Sequence, residues 1–289
     1  MFENKEIIRN YTNGDCKITL YSDGTRVIDG NYLDFPLNID IRVSTQCSFG
    51  QRDDGTYVLC SFCHESAKVN GKDCDYEVLK QKLDGLPPIE LAIGCNKFTD
   101  GLEDFLTWAK DHFVCNLTIN SGHLKRDGDK LKKAISDGIV SGIGVSYRKS
   151  IPIPEWILEH DNCVVHVIVA IDDIEEIAQK NYKKILVLGC KDFGFNQGKL
   201  DQQKIKYWYR NIDKLFGNQV CFDNLALEQL NIRRFFNDET WETIHQGEES
   251  FYIDAANERL APSSRSGNYI NWNDTTVAGY YKELKNAKN

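Results

Sequence analysis

The sequence predicts an α/β fold: a partial (β/α)6 TIM-like barrel with an N-terminal β-hairpin and an irregular C-terminal extension. Three observations predict it. Between residues 38 and 188, apolar β-branched runs alternate with amphipathic ones, as in a parallel sheet with crossover helices. The alternation gives six strand–helix units, which suit a barrel better than a doubly wound sheet, and no Gly-x-Gly-x-x-Gly follows any strand. Thiols and small polar residues recur just past the strands' C-terminal ends, where such folds carry chemistry.

The elements follow in order. Lys17–Tyr21 and Thr25–Ile28 flank the turn Ser22-Asp23-Gly24 and predict the hairpin. Asn38–Thr45 is the first barrel strand. Ile89–Ile93, Val114–Ile119, Ile139–Ser146, Val164–Val169 and Lys184–Leu188 are the next five. Helices are expected over Tyr76–Leu83, Leu102–His112, Lys130–Ile135 and Ile174–Asn181. Leu200–Phe216 reads as an amphipathic helix with Ile205, Trp208, Ile212 and Leu215 on one face. Val220–Phe222 is a further strand, Glu249–Leu260 a hairpin and Asp274–Ala287 a closing helix. The expected organisation is residues 1–36 as the hairpin extension, 37–199 as the barrel and 200–289 as an extension covering it. No Pro/Ser-rich linker separates them, so they read as one domain.

A chain of 289 residues with 41% hydrophobic content can bury a large core. Its formal charge of −8 argues against broad nucleic-acid binding. No run of 18 apolar residues exists and the start lacks an apolar signal core, so a cytoplasmic protein without a membrane partner is expected. In that compartment ten cysteines do not read as a disulfide framework. Cys115, Cys163 and Cys221 read as small core residues, and Cys16 and Cys74 carry no signal.

Cys47, Cys60 and Cys63 are different. They follow the first barrel strand, the last two within Cys60-Ser61-Phe62-Cys63-His64. Thiolates delivered from a strand end into a loop make a soft-metal site. A c-type haem attachment has the Cys-x-x-Cys-His spacing but needs export. A redox dithiol usually opens a helix of a thioredoxin-like unit, which the third cysteine and the many β–α units do not suit. A Cys3His zinc site would have to bend the adjacent Cys63 and His64 onto one ion. Three thiolates without a fourth protein ligand suit an iron–sulfur cluster with one iron left open.

Here the chain resembles the radical S-adenosylmethionine (radical SAM) superfamily, whose signature is Cys-x3-Cys-x2-Cys with an aromatic residue before the third cysteine. Phe62 takes the aromatic position, and Ser48–Leu59 enlarges the first spacing to twelve. Asp53-Asp54-Gly55 supplies a turn by which the enlarged loop returns. Further likenesses follow later strands: Gly94-Cys95-Asn96-Lys97 where the family has a Gly-Gly-Glu-type turn, Asn120-Ser121-Gly122 near its Thr-Asn-Gly, and Ser146-Tyr147-Arg148 where it places polar contacts. Ile168 and an acid keep the spacing of a Gly-x-Ile-x-Gly-x-x-Glu pattern whose two glycines are lost. The resemblance covers Ile39 to Leu188.

It implies a [4Fe–4S] cluster on Cys47, Cys60 and Cys63, with SAM held by Phe62, Gly94, Asn96, Asn120, Ser146, Arg148 and Ile168. One electron, from a flavodoxin- or ferredoxin-like reductant, would cleave SAM to methionine and a 5′-deoxyadenosyl radical. The substrate is open among peptide, nucleotide and small metabolite. Cys95 and Cys190 follow strands and are candidate hydrogen-atom donors; Asp192, in the loop with Lys191, Gly194 and Gly198, is a candidate substrate contact. His64 is expected beside the cluster rather than on it. The competing reading is a zinc- or cluster-containing nucleic-acid-binding module, from the interleaved Lys204–Arg210 and Arg233–Phe236 segments, and it is not favoured because Trp208 belongs to the apolar helix face.

Overall fold

The computed structural model describes residues 5–47, 49, 60–242 and 250–286. An antiparallel sheet opens the chain, β1 (Ile7–Asn13), β2 (Cys16–Tyr21) and β3 (Arg26–Asp29). The predicted hairpin is its β2–β3 half; β1 adds a third strand. The barrel strands follow: β4 (Asn38–Arg42), β5 (Glu90–Cys95), β6 (Val114–Asn120), β7 (Gly142–Ser146), β8 (Cys163–Ile168) and β9 (Lys184–Leu188). Between them lie α1 (Tyr76–Leu83), α2 (Asp100–Ala109), α3 (Leu124–Ser136), α4 (Glu155–Leu158) and α5 (Ile174–Ala178). The remaining elements are α6 (Gln202–Asn211), β10 (Gln219–Phe222), α7 (Asn224–Gln229), α8 (Asp238–Glu242), β11 (Ser250–Asp254), β12 (Arg259–Ala261), β13 (Ile270–Asn271) and α9 (Val277–Asn286).

The main sheet runs β10-β9-β8-β7-β6-β5-β4-β11-β12-β13, parallel from β10 through β11. This is the large parallel sheet of a partial barrel, as predicted. It extends past the six expected strands at both ends. The Glu249–Leu260 hairpin exists as β11–β12, yet β11 also pairs parallel with β4, register Tyr252↔Asp40. The unpaired edge of β4 makes a strand there favourable, since exposed backbone donors and acceptors need partners.

Local chemistry starts the helices. Asp75, Thr99, Asp173, Asp201 and Asp223 cap α1, α2, α5, α6 and α7, each accepting from a backbone N–H one or two residues into the helix. Strand parity then sorts the side chains. Odd-numbered Ile39, Ile41, Leu91, Ile93, Leu117 and Val165 pack outward beneath the helices in one continuous core. Even-numbered residues face the lumen. Trp208 and Ile212 join the core, as the periodicity of α6 requires.

The first sheet closes the barrel at the strands' N-terminal ends. Cys16, Ile18, Leu20, Leu37 and Val114 form a second small core there. Arg26 Nη2 lies 2.5 Å from Glu90 Oε1, and Asn116 Nδ2 donates to Glu90 Oε2 at 2.8 Å. Arg9 Nη2 donates to the carbonyls of Lys110 and Phe113. None of the ten cysteines is in a disulfide. Cys115 and Cys163 are buried as expected, but Cys221 is exposed: β10 is the edge strand, and the register places Cys221 beside Leu186 on the inward face while Val220 and Phe222 pack against the core. Among the described residues no helix is long and apolar enough to cross a membrane.

Candidate functional site

At the strands' C-terminal ends the barrel opens into a cavity of about 350 Å³. That is within the range of small-molecule and cofactor sites. Cys47, Cys60, Phe62 and Cys63 line it from the loop after β4. Gly94, Cys95 and Asn96 line it from β5 and its loop, Asn120 from β6, Ser146 and Arg148 from β7, and Ile168 from β8. One cavity thus gathers residues far apart in sequence. Cys190 and Asp192 are not in its wall.

Backbone hydrogen bonds hold the described ends of the cysteine segment. Cys47 N–H donates to Lys68 O at 2.8 Å, and Cys63 N–H to Cys60 O at 3.0 Å. Phe49 N–H points at Cys47 Sγ, 3.4 Å away, and its ring meets His123 edge-on at 5.7 Å between centroids. The Asp53-Asp54-Gly55 turn lies outside the described residues. Burial pushes the Cys47 thiol up and the Cys60 thiol up to about 11; the Arg148 guanidinium opposes it at Cys60. The same guanidinium sits 4.7 Å over the Phe62 ring. Among the described residues, no three His, Cys, Asp or Glu side chains converge on a single-ion point. The three thiols border the cavity.

The other predicted residues have mixed duties. Asn120 Oδ1 accepts from Gly122 N–H at 2.9 Å, capping the 3-10 turn Ser121–His123 that leads into α3. Asn96 O accepts from Arg126 Nη2 at 3.2 Å. Gly94 has open space: a β-carbon there would come no nearer than 3.9 Å to Ile41 O. Packing therefore does not demand glycine, while approach of a ligand to the backbone would use it. Burial pushes the Cys95 thiol, deep in the wall, up to about 12.

Cys190 is sealed in protein. Asn196 Nδ2 donates to its sulfur at 3.3 Å, and Gln229 brackets its backbone N–H and C=O. Asp192 is exposed and accepts from Gly198 N–H, closing its own loop. That loop backs the cysteines rather than covering the mouth: Phe195 N–H donates to Cys63 O at 2.9 Å. Gly194, at φ +64°, passes so close that a β-carbon would meet Cys63 O at 2.7 Å. His64, as expected, is engaged beside the cysteines. Its Nε2 lies 3.0 Å from Glu65 Oε1 and 3.1 Å from Lys191 Nζ, and its ring meets Phe193 edge-on.

Sequence reasoning passed over several wall residues. Arg42 lies 2.6 Å from Glu65 and 3.4 Å from Asp254, tying β4 to the cysteine loop and to β11. Burial of Glu65 opposes its ionisation, yet the His64 hydrogen bond and the Arg42 charge hold it down at about 2. Asp40 and His166 also line the cavity. The signal was present: a strand of a doubly covered parallel sheet should read almost wholly apolar, and both residues interrupt such runs. The segments read for nucleic acid are largely self-engaged. Arg234 stacks on Tyr209 and Phe235, and Arg233 pairs with Asp238 at 2.5 Å.

No protein-family model matches the chain, and no curated protein matches it significantly. Its fold is similar to that of native anSMEcpe with bound AdoMet. The two are 13% identical with a TM-score of 0.53, over 88% of this chain and 83% of that one. Native anSMEcpe with bound AdoMet and Cp18Cys peptide gives 12% identity and 0.52, over 87% and 82%. At such identities the likeness shows the fold alone, a mixed α/β fold built on a large parallel sheet.

Proposed function

We propose that the protein is a radical SAM enzyme in which Cys47, Cys60 and Cys63 hold a [4Fe–4S] cluster and the loops after β5, β6, β7 and β8 hold SAM. The observation that supports this best is the single cavity bordered by the three thiols together with Gly94, Asn96, Asn120, Ser146, Arg148 and Ile168. When bound, the cluster supplies the electron that splits SAM into methionine and a 5′-deoxyadenosyl radical.

The chain's own residues have definite tasks. The three thiols must lose their protons to become ligands. Arg148 assists at Cys60, where its charge opposes the effect of burial. Arg148 also braces Phe62 and leaves that ring beside the cofactor space. The barrel wall and the cysteine loop keep water from a reactive centre. Of the two thiols considered as hydrogen-atom donors, Cys95 belongs to the cavity wall but lies on the outward, odd-numbered face of β5 in the outer core, and Cys190 is outside the wall, so neither is favoured. The reading calls for a one-electron reductant of flavodoxin or ferredoxin type.

Anaerobic purification tests the proposal. About four irons and four sulfides per chain are expected, by the stoichiometry of such clusters. The reduced protein should release 5′-deoxyadenosine from SAM. One tightly held zinc without iron, or a loaded cluster whose spectrum ignores SAM, would overturn it.

A further inference from the structure

The three thiols that border the cavity have different surroundings. Cys60 is faced by the Arg148 guanidinium. Cys63 is held through its backbone, where Phe195 N–H donates to its carbonyl at 2.9 Å. Cys47 has two nitrogens at its sulfur. Phe49 N–H lies 3.4 Å from Sγ, and His123 Nε2 lies 3.9 Å from it. The first belongs to the cysteine segment itself. The second comes from another strand end, the 3-10 turn Ser121–His123 that follows β6 and opens α3.

Local chemistry fixes that ring. Asn120 Oδ1 accepts from Gly122 N–H and caps the turn that carries His123. Gly122 has no side chain, and the Phe49 ring takes the space: a β-carbon there would stand 2.1 Å from Phe49 Cε2. Phe49 then meets the imidazole edge-on. The imidazole is 3% exposed and touches both the Phe49 ring and the Cys47 sulfur. Its Nδ1 is buried without a partner among the described residues. A buried N–H without an acceptor is a rarer orphan than a bare lone pair. The ring proton is therefore assigned to Nε2, where the sulfur can accept it.

We propose that His123 donates its Nε2–H to the Cys47 sulfur and thereby raises the reduction potential of a cluster held by that sulfur. Ligation turns the thiol into a thiolate, which only accepts hydrogen bonds. Such a bond stabilises the electron-rich reduced cluster more than the oxidised one, and hydrogen bonds to the sulfurs are one of the protein's levers on the potential. The lever matters here because the cluster must take an electron from the flavodoxin- or ferredoxin-like reductant before SAM is cleaved. His123 acts through Cys47, so it is a positioning residue and not a ligand. The inference deepens the radical SAM reading and rests on it for the cluster.

The test is redox potentiometry of the full-length, anaerobically reconstituted protein, read by electron paramagnetic resonance of the reduced cluster. The parent is compared with His123→Phe and His123→Leu, which carry no donor, and with His123→Gln, which restores one. Iron and sulfide content should match the parent in all three. In the donorless variants the equilibrium constant for reduction should fall about threefold to tenfold, a potential lower by about 30–60 mV at about 59 mV per decade for one electron. His123→Gln should recover most of that shift. Parental iron with unshifted potentials would overturn the inference and leave the radical reading standing. A shift that His123→Gln does not reduce would also overturn it, because altered packing or water access would then be the cause. So would loss of iron from both donorless variants, since His123 would then be a ligand or a brace of the cysteine segment. A parent protein that takes up zinc and no iron would sink the radical reading, and this inference with it.

Discussion

The two ends of the barrel solve the problem of polar residues in opposite ways. At the N-terminal ends of the strands the small antiparallel sheet acts as a plug. It brings Arg26 to Glu90, Arg9 to two backbone carbonyls and an apolar layer around Leu37. Charges there are answered by the protein itself. At the C-terminal ends the wall carries thiols outside any disulfide, His166, whose side chain has no partner among the described residues, and Gly94 where packing asks for none. Buried polar groups normally find partners, so the end that leaves them open is the end shaped for something other than stability.

Substitutions at the two ends should therefore fail differently. The largest effect is expected at the mouth. Cys60→Ala should remove essentially all bound iron after anaerobic reconstitution, whereas Cys163→Ala, buried in the outer core, should keep it and lose about 1 kcal/mol at most in packing. Iron analysis with urea unfolding of both variants checks this. Equal iron loss in both would erase the contrast.

The plug should show the reverse pattern. Glu90→Ala leaves Arg26 partly buried without its counter-charge, at a cost of about 2–3 kcal/mol. In a chain of this size that lowers Tm by roughly 5–10 °C. Iron content and SAM-dependent 5′-deoxyadenosine release should be unchanged at temperatures where the variant stays folded. Loss of SAM cleavage with an unaltered Tm would show that the bottom of the barrel takes part in the chemistry.

How much of this contrast was legible in the sequence follows from how each part is encoded. Strand runs and their parity are local, so the six barrel strands and the outward core could be read directly. That the cysteine motif, Gly94, Asn120 and Ser146 stand at or just past strand ends was legible because each is local to its strand; their roles toward a cofactor are part of the proposal. The partners of β4 were not. That β11 closes on it depends on a pairing some 212 residues long, between Tyr252 and Asp40, and nothing local announces it. The surroundings of the 190–198 loop were not legible for a related reason. Its charges and glycines read as a substrate-contacting loop, whereas Gly194 and Phe195 lie against the carbonyls of the cysteine segment, a contact only the fold creates. Asp40 and His166 were visible as interruptions of apolar strands; their shared cavity was not.

The smallest predicted effect is the sharpest on the middle of the lumen. The folded-state pKa of Asp40, about 6, lies above the value of 3.8 expected unfolded. Between those values the folded protein holds more protons than the unfolded one, so this residue's contribution to stability falls as pH rises and is lowest above pH 6. Asp40→Asn removes that penalty. The variant should match the parent near pH 4 and exceed it above pH 6–7 by at most about 0.5 kcal/mol, because Asp40 is exposed to the water of the open cavity, or roughly 1 °C in Tm. His166, held at about 4 by burial, destabilises the fold as pH drops below 6.5, but equally in both proteins, so it cancels in the difference. Differential scanning calorimetry of the pair from pH 4 to pH 8 reads the curve. A flat difference would mean that Lys191 leaves His64 and Ser264 to pair with Asp40, which would make the middle of the lumen as self-sufficient as its base.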